Sequence, residues 1–445
     1  MFQTLKSAWG MPEIRKKFLY TLLMIIVFRL GSAITVPFLD LATVQTWIEG
    51  YATDGNFLEY LNVLTGGALS KATVFSLSIT PYINSSIIIQ LLTYALPPLE
   101  RLQEEGEEGR KVLNKITAYL ALALSLFMSI AYFLTLRNSA KAVSYTTGAE
   151  GWFAAIVIVA CFTAGAMFVV WMGNRINDKG IGNGISMILF AGIVARFPQD
   201  IMTLINFARA DLAKNFFMAI LIAVGFVAMI GFVVFMNEAE RRIPIQYAKR
   251  VVGRKQFGGQ NTHIPIKVCM SGVMPIIFAM AFMSLPATIS MFVEPKATLE
   301  AAQDAGTGAV IYYHFINFFK TTNWGYAVLY LILIIAFNYF YVSMQYNPVE
   351  IANNLRQNNG GIPGYRPGKP TSDYIQRVLS KITLVGAIFL GIIAIIPIAL
   401  QWYDQTLASL SMGGTSLLIV VSVALETVRT LESQMMMRHH KGFLG

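Results

Sequence analysis

The chain has 445 residues, of which 55% are hydrophobic and only 13% are charged, and its mean hydropathy is +0.57. Soluble domains carry about 25% charged residues, so this composition excludes a water-soluble globular protein and predicts an integral membrane protein. The net charge of +10 is expected to lie mainly in cytoplasmic loops, where Lys and Arg concentrate in membrane proteins.

Ten apolar stretches of roughly the length that crosses a bilayer, about 20 residues, follow one another along the chain. The fifth is the least regular, because Arg196 and Pro198 interrupt it. The predicted spans are Phe18–Val36, Val74–Leu96, Ile116–Leu136, Gly151–Met172, Gly184–Met202, Phe216–Met236, Val268–Val293, Trp324–Met344, Ile382–Leu400 and Leu407–Val428.

The distribution of basic residues predicts the orientation of these spans. With a cytoplasmic N-terminus, the inward segments hold 25 of the 34 Lys and Arg residues and the outward segments hold 8, while Arg29 lies in the first span. Because Lys and Arg favour the cytoplasmic side, both termini are predicted to be cytoplasmic. The two largest loops, residues 237–267 and 345–381, then lie on the same inner face.

The first of these loops predicts a β-ribbon. Apolar residues alternate at Ile243 and Ile245 and again at Ile264 and Ile266, a period typical of half-buried strands. Basic residues are concentrated at its base and tip, at Arg241, Arg242, Lys249, Arg250, Arg254 and Lys255.

The second loop predicts a short helix followed by an irregular turn. Asn347 precedes Pro348 and Glu350, an arrangement of N-cap, first-turn proline and acid that begins helices. This helix runs toward Arg356. The prolines and glycines of residues 360–368 then exclude a helix, so Arg366 is expected on a stiff exposed turn.

Residues 57–73, on the outer side, are too polar and too rich in glycine for a lipid-facing span, yet they contain several leucines. They predict a short helix that either packs inside the bundle or folds over its outer mouth. A fixed outer cap is the simpler alternative.

The sequence contains no pattern for making or breaking bonds. It lacks a zinc-protease motif and a phosphate-binding loop, and its four histidines fall in loops or the tail. We therefore predict no enzyme activity, no cofactor and no metal. Ion-coupled transporters need ionisable residues within the membrane, and only Arg29, Arg196 and Glu426 come close, so a secondary transporter with inverted repeats is the weaker alternative.

Several motifs occur within and between the spans in a specific order. Any one of them alone would be weak evidence for a family. They are residues 64–70, 81–92, 180–186, 237–248, 364–368 and 413–419. On ten spans, this order resembles the SecY family, the channel subunits of the bacterial Sec protein translocase. One departure is Ser78, where the family pattern has glycine.

The resemblance implies an all-α membrane protein with two pseudo-symmetric halves, residues 1–204 and 205–445, around an hourglass pore. It implies a pore ring of apolar side chains at the waist. The motifs assign this ring to Ile83, Ile87, Ile185, Leu189, Ile277 and Ile419. Each pair on one helix is four residues apart and so shares a face. Taken singly, any of these residues has the simpler interpretation of an ordinary core or lipid-facing side chain.

The resemblance also implies a plug and a lateral gate. The plug, about residues 57–73, includes Asn62, Leu64, Gly66, Gly67, Ala68 and Leu69. Spans two and seven would line the lateral gate, through which signal sequences reach lipid. Thr80, Asn84 and Gln90 are polar residues on span two, and interhelical hydrogen bonds are the simplest role for them.

The expected partners follow from the same family. The loop residues listed above, with Arg356 and Arg366, would dock the ATPase SecA or a ribosome, although basic loops also follow from topology alone. SecE and SecG would complete the complex in the bacterial inner membrane. Signal peptides and nascent chains would be the substrates, and membrane lipid would receive transmembrane segments.

Overall fold

A computed structural model of the protein describes residues 9–52, 62, 65–145, 148–210, 215–247, 250–252, 255–257, 261–290, 307–320, 323–403 and 414–441. The helices in this part of the chain are α1 Pro12–Gly31, α2 Leu41–Ala52, α3 Thr80–Ala95, α4 Pro97–Glu104, α5 Glu107–Asn138, α6 Gly148–Lys179, α7 Gly184–Val194, α8 Phe197–Ala210, α9 Asn215–Glu238, α10 Met274–Met283, α11 Leu285–Ser290, α12 Thr307–Phe318, α13 Trp324–Gln345, α14 Pro348–Gln357, α15 Lys369–Tyr403 and α16 Gly414–Lys441. The strands are β1 Glu240–Tyr247, β2 Arg250–Val252, β3 Lys255–Phe257, β4 Asn261–Lys267 and β5 Gly360–Gly361.

Every predicted span overlaps at least one of these helices. Within the described residues, six helices are long and apolar enough to cross a membrane by length and composition. Their outward surfaces carry large apolar side chains, such as Phe217 at 72% exposure and Trp152 at 76%, which suit lipid rather than water. The predicted all-α membrane class is confirmed.

The second span differs from its prediction. It was expected from Val74, but residues 65–79 form a series of turns and the helix α3 begins only at Thr80. Pro81 occupies the first turn of α3, where proline is tolerated because its missing amide has no helical partner. At 16 residues and 1.5 Å per residue, α3 is about 24 Å long, shorter than the roughly 30 Å hydrocarbon layer.

Spans five and seven are interrupted. The fifth consists of α7 and α8 with a break at Ala195 and Arg196, as the sequence indicated. The seventh was predicted from Val268 to Val293, but its helix begins at Met274 and breaks again at Ser284. Cys269 at the entrance is buried and free, and Cys161 is half-buried and free.

Three apolar clusters organise the helices. One contains only residues between Val36 and Ala166, and a second contains buried residues between Val233 and Leu418. The third joins the two parts of the chain, because it places Ile79 and Leu189 together with Ile419 and Val423. Each part of the chain therefore has its own core, while the exact division at residue 204 remains a prediction.

The predicted β-ribbon is confirmed. Strands β1 and β4 pair antiparallel with Ile243 opposite Ile264, and Ile243 and Ile245 are buried. A third strand, β5, was not predicted; it pairs with β1 through Gln246–Gly361 and Tyr247–Gly360. The two largest loops thus form one body, the loop platform (the described residues of 237–267 and 345–381), with a shared apolar core.

Ser78 is the strained point of the second span, and we predict that glycine there stabilises the protein. Its φ is +46°, a left-handed conformation that costs a non-glycine residue about 1–2 kcal/mol, and its buried hydroxyl has no hydrogen-bond partner among the described residues. We expect Ser78→Gly to raise the unfolding free energy of the protein in detergent by about 1 kcal/mol.

Ser78→Ala is the matched control, since it removes the unpaired hydroxyl but keeps the Cβ. In thermal or denaturant unfolding, Ser78→Ala should show only part of the increase in unfolding free energy that Ser78→Gly shows. A Ser78→Gly protein less stable than the wild type would contradict this account.

Candidate functional site: an apolar constriction and its plug

The predicted pore ring gathers at the cluster that joins the two parts of the chain. Ile83, Ile185, Leu189 and Ile419 all belong to it. Ile87 lies one turn from Ile83 on α3 and is 8% exposed. Ile277 is half-buried on α10, one turn after Val273, which packs on the same cluster.

A tight connection fixes the start of α7, on which two of these residues lie. The Asn183 side chain accepts hydrogen bonds from the amides of Ile185 and Ser186 at 3.1 and 3.4 Å. The Gly184 amide donates to Asn177 Oδ1 at 2.7 Å, and a Cβ on Gly184 would collide with the Gly173 carbonyl. The glycine motif therefore lets α7 pack directly on α6, which aims Ile185 and Leu189 at the constriction.

The described part of the plug lies against the same helix. Gly66 has φ +67°, and a Cβ there would lie 2.7 Å from the Gly192 carbonyl and 2.6 Å from Arg29 Nη1. Gly192 lies three residues after Leu189 on α7. The turn that contains Gly66 therefore lies next to the predicted ring, on the side of the ring that is farther from Gly184. Arg29 Nη1 is buried here without a hydrogen-bond partner among the described residues.

Hydrogen bonds hold this turn in place. The buried Tyr132 hydroxyl donates to the Leu69 carbonyl at 2.9 Å, and the Ser70 amide donates to Asn62 Oδ1 at 3.0 Å. Ala68 and Leu69 are fully buried. The expected plug helix is not seen in residues 65–73, which are turns; Asn62 is helical, and Leu64 lies outside the described residues.

One of the polar residues predicted for the lateral gate, Gln90, bonds within its own helix instead of to a neighbouring helix. Gln90 Nε2 bonds Ser86 Oγ of its own helix at 3.3 Å, Thr80 is buried and Asn84 is half-buried. The bond from span two to a neighbouring helix comes instead from Ser85, whose hydroxyl donates to the Thr117 carbonyl of α5 at 2.7 Å. The sequence reasoning missed Ser85.

A second buried polar group was also missed. Asn338 of α13 is 2% exposed; its Oδ1 accepts from Ser271 Oγ, and its Nδ2 donates to the Thr383 carbonyl at 2.8 Å. It therefore ties the entrance of span seven to spans eight and nine. An asparagine inside an apolar span was the available signal, since such a residue needs partners in the membrane.

The loop platform presents basic groups to solvent. Arg366 is exposed on a turn between Gly364 and Gly368, both at positive φ. The rings of Tyr365 and Tyr374 contact each other beside that turn, with centroids 4.3 Å apart and planes tilted by 32°. The Asn347 side chain caps α14 as predicted.

Arg356 lines a shallow cavity of about 520 Å³ together with Gln246, Gly360 and Pro367. Arg241 and Arg242 are exposed, and Arg242 Nε pairs with Glu240 at 2.7 Å. Arg250 and Lys255 begin the paired strands β2 and β3, whereas Lys249 and Arg254 lie outside the described residues.

The base of the platform contacts the helix that carries Ile419. Arg429 of α16 donates to the Asn237 carbonyl at 3.3 Å. Burial, followed by repulsion from Arg429, lowers the pKa of Lys267, and Glu240 and Glu426 oppose that shift. Charged groups of the platform and of α16 are therefore close enough to influence one another.

Together these features define a multi-pass helical membrane protein whose two parts are joined by an apolar cluster. The SecY family model matches residues 73–428. The protein translocase subunit SecY of Streptomyces coelicolor is 39% identical over the full length of both chains. The fold also matches a solved SecY channel described by its plug domain (TM-score 0.62, 18% identity, 94% of this chain and 92% of that one) and Sec61 of a canine ribosome–channel complex (TM-score 0.59, 17% identity, the same coverage).

The chain belongs to the SecY family and is a protein-conducting channel subunit. This membership decides against the transporter alternative.

We predict that Gly66→Ala opens the resting channel to ions. The added Cβ would meet a backbone carbonyl in a conformation that already disfavours side chains, so the plug turn should leave its position; a loss of about 1.4 kcal/mol in the closed state raises the open fraction roughly tenfold. Ion conductance of reconstituted resting complexes measures this.

Gly67→Ala is the matched control. Gly67 also has positive φ (+82°), but nothing lies within 4 Å of its added Cβ. Equal conductance for both variants would show that backbone strain, and not the contact with α7, controls the seal.

Proposed function

We propose that this chain forms the central pore through which unfolded secretory polypeptides cross the plasma membrane of a bacterium. The observation that carries the proposal is the apolar cluster in which Ile83, Ile185 and Leu189 meet Ile419, from distant parts of the chain. An apolar constriction can exclude ions by dewetting, while flexible isoleucine and leucine side chains can fit around a passing peptide. Ile87 and Ile277 complete the proposed ring.

The proposed plug closes this ring from outside. The contact of Gly66 with Gly192 and the bond from Tyr132 to Leu69 support a closed resting state. Because residues 65–73 are turns and not a spanning helix, the segment can leave its position without unfolding a span.

The proposed lateral gate lies between the two halves, residues 1–204 and 205–445. Ser85 joins α3 to α5, whereas Asn338 joins the entrance of α10 to α13 and α15. Each gate helix is thus bonded to neighbours on its own side, which supports an opening in which α3 and α10 separate and Thr80, Asn84 and Gln90 face the entering segment.

Force for translocation is proposed to come from partners. The exposed basic groups of the platform, Arg366 above all, suit docking of the acidic surface of SecA or of ribosomal RNA, and the canine relative is seen in a ribosome–channel complex. SecE and SecG are proposed as the further subunits. The excess of Lys and Arg on one side supports an orientation with the platform and both termini in the cytoplasm.

Crosslinking a stalled secretory chain tests the pore. With a photoreactive residue at position 419, we expect adducts with the stalled chain, because this position faces the proposed path. Ile388 of α15, which is 51% exposed on the outer surface, is the matched control and should crosslink to lipid only. An active complex in which neither position 87 nor position 419 reaches the chain would refute the pore.

Charge reversal tests the docking role of Arg366. We expect Arg366→Glu to reduce ATPase-driven export at least about tenfold, the effect of losing one charged contact worth roughly 1.4 kcal/mol, without lowering the amount of folded channel in the membrane. Arg101→Glu, at another exposed cytoplasmic arginine on α4, is the control and should export normally. Normal export by the Arg366 variant would remove this residue from the docking site.

A further inference from the structure

The guanidinium of Arg29 is a buried charged group to which the proposed function gives no role. Arg29 lies in the last turn of α1, and its Nη1 is buried without a hydrogen-bond partner among the described residues. A polar group buried in this way loses its hydrogen bonds to water and gains none in return, and the loss is larger for a charged group. The position of this nitrogen is therefore unfavourable in the structure described here.

Gly66 of the plug turn (residues 65–73) contacts both Arg29 and the end of α7. A Cβ built on Gly66 would lie 2.6 Å from Arg29 Nη1 and 2.7 Å from the Gly192 carbonyl oxygen. The guanidinium and this carbonyl thus lie beside the same point of the plug turn, and they do not bond each other. The plug turn in its present position covers both groups.

The Gly192 carbonyl is an acceptor that suits a guanidinium. In a continuous helix it would accept from the amide of Arg196, four residues on. Because α7 ends at Val194, that amide donates instead to the Ile193 carbonyl at 3.0 Å. The carbonyls at a helix C-terminus also carry partial negative charge, which favours a cation beside them. Arg29 and the end of α7 are therefore complementary in both hydrogen bonding and charge.

The backbone of Arg29 is fixed, so a change of partner involves its side chain alone. Phe28 is fully buried and stacks on Phe75 with ring centroids 5.9 Å apart, and the Ser32 hydroxyl donates to the Arg29 carbonyl at 2.8 Å. Phe28 and Leu189 of α7 belong to the same apolar cluster. A bond from the guanidinium to the end of α7 would thus join α1 and α7 beside the proposed ring.

We propose that Arg29 is a switch that favours opening: its guanidinium lies unpaired against Gly66 while the plug turn is closed, and it donates to the Gly192 carbonyl once the plug turn leaves. This inference rests on the proposed pore and plug. Opening exchanges a buried charged donor without a partner for a hydrogen bond at the negative end of a helix. The bond from Tyr132 to Leu69 holds the turn closed, and Arg29 opposes it.

The test measures the ion conductance of resting reconstituted complexes in which closure has first been weakened. Tyr132→Phe removes the hydroxyl that donates to the Leu69 carbonyl and keeps the ring that packs on Phe162, so it should raise the resting conductance. Arg29→Met, added to this variant, should lower the conductance roughly tenfold, because methionine loses no hydrogen bond on burial and cannot bond the Gly192 carbonyl. Unchanged or higher conductance on adding Arg29→Met would overturn the switch, since a residue that only supports the closed structure has that effect.

Two further variants of the Tyr132→Phe complex isolate the hydrogen bond from the charge. Arg29→Lys keeps a charged donor and should keep most of the conductance. Arg209→Met removes an exposed arginine from the last turn of α8 and should leave the conductance unchanged. A loss with lysine as large as that with methionine, or an equal loss with Arg209→Met, would overturn the proposal.

A second measurement needs no substitution. An arginine-specific dicarbonyl reagent is applied to wild-type complexes, either resting or holding a stalled secretory chain, and modification is read by peptide mass spectrometry. Arg29 should be protected at rest and modified in the engaged complex, whereas Arg209 should be modified in both. Equal protection of Arg29 in the two states would overturn the switch. If the engaged complex does not place the stalled chain next to Ile419, the proposed pore itself has failed rather than the switch.

Discussion

A backbone amide or carbonyl inside hydrocarbon needs a partner within the protein, because no water is available to replace it. Three irregular segments of this chain lie within predicted spans or at their ends, and each has its backbone satisfied by neighbouring helices or loops. In the turn region 65–79, the Val74 amide bonds the Ile34 carbonyl, and the Leu69 carbonyl accepts from Tyr132. Ahead of α7, the Ile181 amide bonds Thr21 Oγ1; ahead of α10, Val268 bonds the Ala239 carbonyl.

These segments are also where the site is built. Each begins a helix that contributes to the proposed constriction, so the interior of the bundle both permits the irregular backbone and determines where α3, α7 and α10 start. In a uniform set of ten full-length helices, the starting point of each helix could not be set in this way. The requirement for internal hydrogen bonds thus links the short helices, the plug turn and the ring in a single arrangement.

The strength of the contacts follows a consistent pattern. Within each of the two parts of the chain that have their own apolar cluster, buried hydrogen bonds such as Asn338 to Thr383 hold neighbouring helices together, and breaking them in the membrane would leave polar groups unpaired. Between these parts, the contacts include the apolar cluster, which can be replaced by another apolar surface at little cost. In the proposed function, the channel opens at this second kind of contact.

The sequence alone determined the membrane class, the approximate spans, the charge asymmetry, the β-ribbon and the exposed turn at Arg366, because each depends on local composition or period. The family motifs indicated the ring residues. Only the tertiary structure decided that residues 74–79 are not helical, that Gly360 and Gly361 complete a sheet with β1, and that Ser85 and Asn338 join particular helices. Those features depend on contacts between residues far apart in the chain, where a neighbour's carbonyl or ring, and not the local pattern, selects the conformation.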